Sequence, residues 1–421
     1  MILERSRFQK LLFPGWVASL GVVVLAGLIA GIIVLVRGLV VTNLSDLVPW
    51  GLWITLDLSA IALSAGAFTL SAAVYLLGLK HLQPLARTAV FIGLIGYSMA
   101  IMMLLMDIGR PDRLWHALVY WNTHSPLWEV TMCITLYFAV LILEVTPIFG
   151  DADWMKSRWP RFSGGLSKVH VLAPILAVAG LFLSMLHQSS LGATYGILKA
   201  RPIWYRPSMA VLFIVSAIVA GPALVVLASR IAAKITPKAS VREDLLDQVA
   251  KFIGFALIGY LYLRFWDAFS MSYTYEPART EGLNMLTQGP LSFNFWVGEI
   301  ILGIVIPMVI LLSSKLRRHT NLQMLALLLV VGGLVAFRWD ITLVGQLVVI
   351  GVLPQDIIPR YTQYFPSLIE ILVTVGVVAY GILAFTLGVR YLKVVNHQYE
   401  PVHKSDGKEA SPSAAAGVST D

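Results

Sequence analysis

The 421-residue sequence has few charged residues and a single cysteine. Charged residues make up 13% of the chain, about half of the roughly 25% that is typical of soluble proteins. This composition excludes an ordinary soluble enzyme. The lone Cys133 excludes a disulfide framework, and it also excludes an iron–sulfur cluster held by this chain alone, because such clusters need several thiolate ligands. Walker-type and dinucleotide-binding glycine motifs are missing as well.

Long apolar runs take up most of the sequence, and 58% of its residues are hydrophobic. A helix needs about 20 apolar residues to cross roughly 30 Å of hydrocarbon. Ten segments meet this requirement and predict an all-α integral membrane protein. We interpret the first segment as a retained helix, because its apolar stretch is too long for a signal peptide. The segments cover approximately residues 14–36, 53–79, 85–106, 127–148, 167–187, 208–233, 250–274, 291–314, 320–338 and 366–392.

Lysine and arginine are distributed unevenly between the two sets of connections. One set carries 21 of these residues and the other carries nine. By the positive-inside rule, the basic set and both termini are predicted to be cytoplasmic. The basic set comprises the N-terminus, the connections near 80–87, 149–168, 230–251 and 315–319, and the C-terminal tail. The outer set comprises the connections near 37–52, 107–126, 188–206, 275–290 and 338–365.

Four consecutive helices place a titratable residue near their predicted outer ends: Asp57, Asp107, Glu129 and His187. A charged side chain near a helix centre costs about 2.5–3.5 kcal/mol on insertion scales, so such residues need a reason. This ring of groups is suited to holding a polar head group and moving its protons. Two alternatives stay open: Glu129 caps its helix, and Asp107 pairs with Arg110 or Arg113 within the loop.

A second set of charged residues lies in the other half of the chain. Arg264 and Asp267 share one face of the seventh helix, where they can neutralise each other. The set is either a structural cluster of ion pairs or a route for protons or ions. In the first half, Glu144 and His170 lie toward the basic side, where they would extend a path from the ring of titratable residues at the outer ends. The other members of the second set are Glu299, Arg338, Asp340 and Glu370.

The histidines do not favour a haem site. Only His170 and His187 lie in predicted spans, and their separation along one helix is roughly 25 Å, so they cannot share an iron. His116 and His124 lie in an outer loop, and nothing in their surroundings indicates a surface haem. If the protein takes part in redox chemistry, its electrons must come from a partner and end on a diffusible cofactor.

Several motifs resemble the NrfD/polysulfide-reductase membrane subunits, within them most closely the ten-helix HybB-like branch. This branch contains the membrane subunits of quinone-linked hydrogenases, of menaquinone reductases and of alternative complex III. The motifs span roughly residues 49–370. They are Pro49-Trp-Gly-Leu-Trp-Ile-Thr-Leu-Asp-Leu58, Gly96-Tyr-Ser98, Asp107-Ile-Gly-Arg110, His187-Gln-Ser-Ser-Leu-Gly192, Leu263-Arg-Phe265 and Tyr364-Phe-Pro-Ser367 with Glu370.

The resemblance implies a haem-free subunit with two four-helix bundles plus peripheral helices. It divides the chain into a peripheral helix and loop (1–48), a first bundle with the quinone site (49–206), a second bundle (207–340) and a C-terminal helix (341–396). The composition of residues 397–421 predicts a disordered tail. The quinone, menaquinone or another, would be held near the outer face. Its site residues would be Trp53, Asp57, Asp107, Arg110, Glu129, His187 and Ser190, and proton movement would use Glu144, His170, Arg264, Asp267, Glu299, Asp340 and Glu370.

Three functions follow as hypotheses. The preferred one is a quinone-reactive membrane subunit of a bacterial respiratory complex in the inner membrane. His187 and Asp57 would be its catalytic residues, and the quinone site would lie near the periplasmic side. An iron–sulfur, ferredoxin-like subunit would dock on the outer loops, with hydrogenase, molybdoenzyme-like or multihaem cytochrome subunits beyond it. The second hypothesis is a secondary transporter or proton channel that uses Arg264, Asp267 and Glu299. The third is a passive anchor.

Overall fold

The computed structural model describes residues 2–235, 241–349 and 360–395, and its main elements are ten long helices. All ten are long and apolar enough to span a membrane, which confirms the predicted fold class. They are α1 (Ile2–Arg37), α2 (Leu52–Tyr75), α3 (Gln83–Asp107), α4 (Pro126–Gly150), α5 (Ala173–Gly196), α6 (Ser208–Ile235), α7 (Glu243–Ser270), α8 (Asn294–Leu312), α9 (Thr320–Leu347) and α10 (Leu368–Tyr391). The predicted tail 397–421 lies outside the described residues.

Short elements connect the long helices, and α8 itself is a π-helix over Asn294–Val305 before it continues as an α-helix. Two strands of two residues, β1 (Val348–Val349) and β2 (Arg360–Tyr361), pair antiparallel. The short helices and helical turns cover Leu39–Val41, Lys80–Leu82, Pro111–Arg113, His116–Val119, Asp153–Arg158, Pro160–Lys168, Val169–Leu172, Arg279–Thr287 and Ser314–Arg317.

The connecting segments gather at two opposite ends of the helices. At one end, which we call the aromatic face, lie the loops 38–51, 108–125, 197–207, 271–293 and 361–367. Contacts between these loops include the hydrogen bonds of Asn43 with Phe365 and of Arg279 with Pro202. At the other end, the basic face, Lys393 pairs with Asp153. The sidedness of these faces in the membrane stays a prediction.

Helices α2–α5 pack around one another, and α6–α9 form a second such group. The two groups meet mainly where α6 packs against α2 and α5. Helix α1 lies against α10 at the edge, and α10 in turn packs against α3. This arrangement has the form of two four-helix units with two peripheral helices, while the predicted residue boundaries of the units stay predictions.

Serine side chains fix the starts of two membrane helices at the aromatic face. Ser125 accepts a hydrogen bond from the Trp128 amide, and Pro126 follows it in the first turn of α4, where its missing N–H costs nothing. Ser367 and Glu370 form a reciprocal capping box at the start of α10. These caps satisfy amide groups that would otherwise lack a partner near the membrane boundary.

Two helices extend about nine residues beyond their predicted C-terminal ends, and both corrections concern site residues. The fifth span is predicted to end at His187, but α5 continues to Gly196, so His187 lies about 14 Å from its end. The ninth is predicted to end at Arg338, but α9 continues to Leu347. Both differences arise because polar residues favour a loop when the sequence is considered alone. Here these residues are buried among other helices, where protein partners replace water.

We expect Gly27→Val to detach α1 from α10. A Cβ atom at Gly27 would lie 2.6 Å from the Cα of Gly376, so the two helix backbones would have to separate. Thermal unfolding of the purified protein should shift to lower temperature. Gly21→Val on the same helix is the matched control, because none of the described residues lies within 4 Å of a Cβ there. Equal shifts for the two variants would contradict the close packing.

Candidate quinone site

A cavity of about 540 Å³ lies at the aromatic face between α2, α3, α4 and α5. Its wall is mostly aliphatic, but Asp57 from α2 and Asp107 from α3 both line it. One carboxyl oxygen of each, Oδ1, is buried and makes no hydrogen bond within the part of the chain that the structure describes. A buried polar atom without a partner costs about 1–3 kcal/mol, so these oxygens are suited to a polar ligand or water in the cavity.

His187 lies on α5, one helical turn further from the aromatic face than Leu191, which lines the cavity. Leu191, Thr194 and Tyr195 line the cavity, and their spacing from His187 places all four residues on one face of the helix. The His187 ring is fully buried, and its Nδ1 atom is hydrogen-bonded to the Tyr97 hydroxyl at 2.7 Å. Its Nε2 atom has no partner among the described residues.

Glu129 and Ser190 contact each other rather than the cavity. The Ser190 hydroxyl donates a hydrogen bond of 2.6 Å to the Glu129 carboxylate, which links α5 to the first turn of α4. Neither residue is part of the cavity lining. Ser125, and not Glu129, is the N-cap of α4. Glu129 lies in the first turn of α4, and its side chain makes a tertiary contact with α5.

Trp53 and Arg110 lie away from the cavity lining. The Trp53 indole N–H donates to the Glu370 carbonyl oxygen at 3.1 Å, and its ring is buried beside Met103. Arg110 is exposed and pairs with Asp112 instead of Asp107, with N–O distances of 3.1 and 3.0 Å. The hydrogen bond from Arg110 holds the pKa of Asp112 below its usual range. The quinone-binding roles of Trp53 and Arg110 stay predictions.

Glu144 and His170 share a second cavity, of about 300 Å³, at the basic face. His170 lies in the helical turn Val169–Leu172 directly before α5, within the candidate membrane span Pro160–Gly196, as the sequence predicts. Arg87 and Asp151 also line this cavity and form an ion pair at 2.5 Å. The structure therefore brings Glu144 and His170 together, and their role in a proton path stays a prediction.

The predicted ion pair of Arg264 and Asp267 is present, and it is part of a larger buried network. Arg264 contacts Asp267 at 2.9 Å and binds Glu299 through two nitrogen atoms at 2.6 and 3.2 Å. Arg206, from the loop before α6, donates to both oxygens of Asp267 at 2.7 and 2.9 Å, and Ser208 donates at 2.6 Å. Two arginines thus balance two carboxylates.

The other acidic residues predicted for the proton path have different surroundings. Asp340 accepts a hydrogen bond from Asn294 at 2.8 Å, while its Oδ2 has no partner among the described residues. Glu370 is fully buried and accepts hydrogen bonds from the Ser367 and Asn43 amides at 2.8 and 3.0 Å. The Tyr364 hydroxyl also donates to Glu370. Glu370 therefore ties the start of α10 to the loop that follows α1.

Sequence reasoning missed two residues at these sites. In the sequence, Arg206 is one of several basic residues in the loop before α6, and no neighbouring residue indicates that its side chain reaches Asp267. Tyr97 belongs to one of the motifs but received no role. A signal is present in the sequence, because Tyr97 is the single tyrosine of α3, and the structure shows that it contacts His187.

Known proteins are similar to this chain over nearly its whole length. The integral membrane subunit of menaquinone reductase from Nitratidesulfovibrio vulgaris (strain Hildenborough) is 34% identical over 408 residues, covering 94% of this chain and 95% of the relative. A subunit of selenate reductase from Mesobacillus selenatarsenatis is 28% identical, covering 92% and 96%. The probable Ni/Fe-hydrogenase 2 b-type cytochrome subunit from Escherichia coli K12 is 27% identical, covering 84% and 86%.

The name of the last relative includes a b-type cytochrome, which bears on the prediction of a haem-free subunit. The structure places His187 in a hydrogen bond with Tyr97, and it places His170 at the opposite face. Within residues 2–235, 241–349 and 360–395, no group of three or more His, Cys, Asp or Glu side chains is arranged to hold a metal ion. The haem-free character of this chain stays a prediction.

The family membership predicted from the motifs is confirmed by the comparison of whole sequences. The family described as "Polysulphide reductase, NrfD" matches residues 40–350, which include α2 to α9. The matched residues include both four-helix groups, and they include Asp57 and Asp107, which line the cavity. The chain is therefore a member of the NrfD polysulphide reductase family.

Proposed function

We propose that this chain is the quinone-reactive membrane subunit of a respiratory oxidoreductase, which exchanges electrons between an iron–sulfur partner and menaquinone. The cavity at the aromatic face is the observation that carries the proposal. It offers an apolar wall for the rings and tail of a quinone, and the carboxyl groups of Asp57 and Asp107 for its oxygens. The similarity to the integral membrane subunit of menaquinone reductase supports the choice of substrate.

The chemistry needs two electrons and two protons for each quinone that becomes a quinol. The electrons come from the iron–sulfur partner, since this chain has one cysteine and holds no cluster alone. Asp57 and Asp107 exchange protons with the quinone oxygens, because both residues line the cavity and their Oδ1 atoms have no hydrogen-bond partner among the described residues. His187 donates a hydrogen bond from Nε2 to an oxygen that becomes negative during reduction, which stabilises the developing charge.

The partner docks on the loop between α3 and α4, next to the cavity. The side chains of Trp115, Val119, Tyr120 and Trp121 are all exposed there. Aromatic groups of this kind are enriched in protein interfaces. Their exposure supports the docking of an iron–sulfur, ferredoxin-like subunit at the aromatic face, with the catalytic subunits of the complex beyond it.

We assign the aromatic face to the periplasmic side of the bacterial cytoplasmic membrane. The excess of lysine and arginine at the basic face supports cytoplasmic termini. Protons for the quinone would then move from the cavity of Glu144 and His170 toward His187. In the second unit, the polar side-chain atoms of Arg264, Asp267 and Glu299 bond to one another and to neighbouring residues, which supports a structural role over the alternative of a transport site.

Filling the cavity tests the proposal directly. We expect Val130→Trp, which projects a large ring from the cavity wall, to weaken binding of a short-tailed menaquinone analogue by at least about tenfold. The matched control is Ala384→Trp, which fills a separate apolar groove of about 700 Å³ between α3, α4 and α10. The binding constant is measured by fluorescence quenching on the purified complex.

The two variants give distinguishable outcomes. Weaker binding in Val130→Trp alone supports the cavity as the quinone site. Equal affinity in the wild type and in a folded Val130→Trp protein would contradict it. If the chain purifies alone and ions cross vesicles without quinone, the transporter alternative takes its place.

A further inference from the structure

We propose that Tyr97 is a positioning residue, which sets the tautomer and the ring orientation of His187 so that Nε2 carries the proton offered to the quinone. This inference rests on the proposed function, and it assigns a role to a residue on α3 that does not line the cavity. It begins from one contact, the hydrogen bond of 2.7 Å between the Tyr97 hydroxyl and Nδ1 of His187.

Both partners are held in a closely packed part of the first unit. Tyr97 and His187 are fully buried. The Tyr97 ring packs edge-on against Tyr137 with 4.5 Å between centroids. At the neighbouring Gly96, a Cβ atom would overlap the Ser64 hydroxyl oxygen, so α3 approaches α2 closely at this level. The phenol therefore has little freedom to leave the imidazole.

The need to satisfy buried donors decides which tautomer is present. A phenol hydroxyl has one proton to donate, and the hydrogen bond to His187 is the one that Tyr97 makes within the described residues. If Tyr97 donates to Nδ1, its proton is satisfied, and the imidazole proton resides on Nε2. If Nδ1 carried the proton instead, the phenol proton and the Nε2 lone pair would both be buried without a partner, whereas the first state leaves only the Nε2 proton unpaired, so the second state is the costlier one.

The consequence concerns the free nitrogen of the ring. Nε2 has no protein partner among the described residues, and it belongs to the residue one turn below the cavity wall. With the proton on Nε2, His187 is a neutral donor that is aligned before the quinone arrives. The role of Tyr97 is thus comparable to that of the residues that fix the tautomer of catalytic or metal-bound histidines.

The test is Tyr97→Phe in the full complex, with quinone reduction measured at steady state. We expect kcat/KM for the quinone to fall by about 10- to 100-fold, the usual range for loss of such an orienting partner. The control is Tyr380→Phe, which also removes a hydroxyl contact to α3, the 3.1 Å hydrogen bond between Tyr380 and Ser98. This control should keep the wild-type rate.

A second measurement separates positioning from packing. Infrared spectra of protein with isotope-labelled histidine distinguish imidazole protonated at Nδ1 from imidazole protonated at Nε2, and His187→Gln identifies the band of this residue. We expect the wild type and Tyr380→Phe to show the Nε2–H form, and Tyr97→Phe to show a mixture. A wild-type band for Nδ1–H would overturn the inference.

The outcomes also separate this inference from the proposed function. If His187→Gln and Tyr97→Phe both reduce turnover and the tautomer changes, both proposals stand. If His187→Gln abolishes turnover while Tyr97→Phe has no effect on rate or spectrum, only the role of Tyr97 is wrong. If His187→Gln turns over quinone at the wild-type rate, the proposed quinone chemistry fails at this residue.

Discussion

Replacing Asp57 with asparagine is expected to lower quinone turnover by about 10²- to 10⁴-fold, the usual contribution of a group that transfers protons in the transition state. Asparagine has almost the same shape, and Oδ1 of Asp57 makes no hydrogen bond within the described residues, so the fold should persist. The amide fills the same place in the cavity wall but cannot exchange a proton with the quinone. Turnover is measured in the assembled complex with a reduced donor and a menaquinone analogue.

Two further variants are measured beside Asp57→Asn, one as a control and one at the other buried carboxyl group of the cavity. Asp112→Asn changes an exposed carboxylate, paired with Arg110, in the loop that follows α3, and it should leave turnover unchanged. Asp107→Asn tests whether the second carboxyl group of the cavity is also needed. Wild-type turnover in both Asp57→Asn and Asp107→Asn would contradict the assignment of the cavity as the place of proton exchange.

Asp267→Ala is expected to destabilise the protein by about 3–5 kcal/mol, because it removes one partner from a buried ion-pair network. Arg206 would lose both of its hydrogen bonds to a carboxylate, and Arg264 would keep only Glu299. An uncompensated guanidinium among apolar helices is costly, since water is not available to solvate it. The measurement is thermal unfolding of the purified protein in detergent.

The control for this prediction is Asp153→Ala at the basic face. Asp153 also pairs with a basic residue, Lys393, but both side chains are exposed, and exposed pairs contribute little. The unfolding temperature of this variant should match the wild type. If Asp267→Ala also unfolds like the wild type but alters ion flux in vesicles, the network is a transport site and the alternative function gains support.

The sequence predicted the number and type of the membrane helices, because the length of an apolar run is a direct requirement of the bilayer. It did not predict where two of them end. In α5 the segment from His187 onward is polar, and in α9 Arg338 and Asp340 are charged, so the sequence alone favours a loop in both segments. Each helix continues because its polar side chains find partners inside the protein, such as Glu129 for Ser190.

The candidate site was predicted only in part, for the same physical reason. Depth along each helix follows from the sequence, which predicts Asp57 and Asp107 near one level, and the structure has both residues in the lining of one cavity. Which face of a helix points inward depends on packing. Trp53 therefore contacts Glu370 instead of the cavity wall, although it is only four residues from Asp57.

The sequence alone determined that this protein is an all-α membrane protein with ten spans, and its motifs determined the family. Both are local properties, readable from runs of residues. Only the tertiary structure decided the pairings that give the sites their chemistry. Arg206 meets Asp267 across 61 residues, and Tyr97 meets His187 across 90. Such contacts arise because helices pack with particular rotations and separations, and these depend on all their neighbours at once.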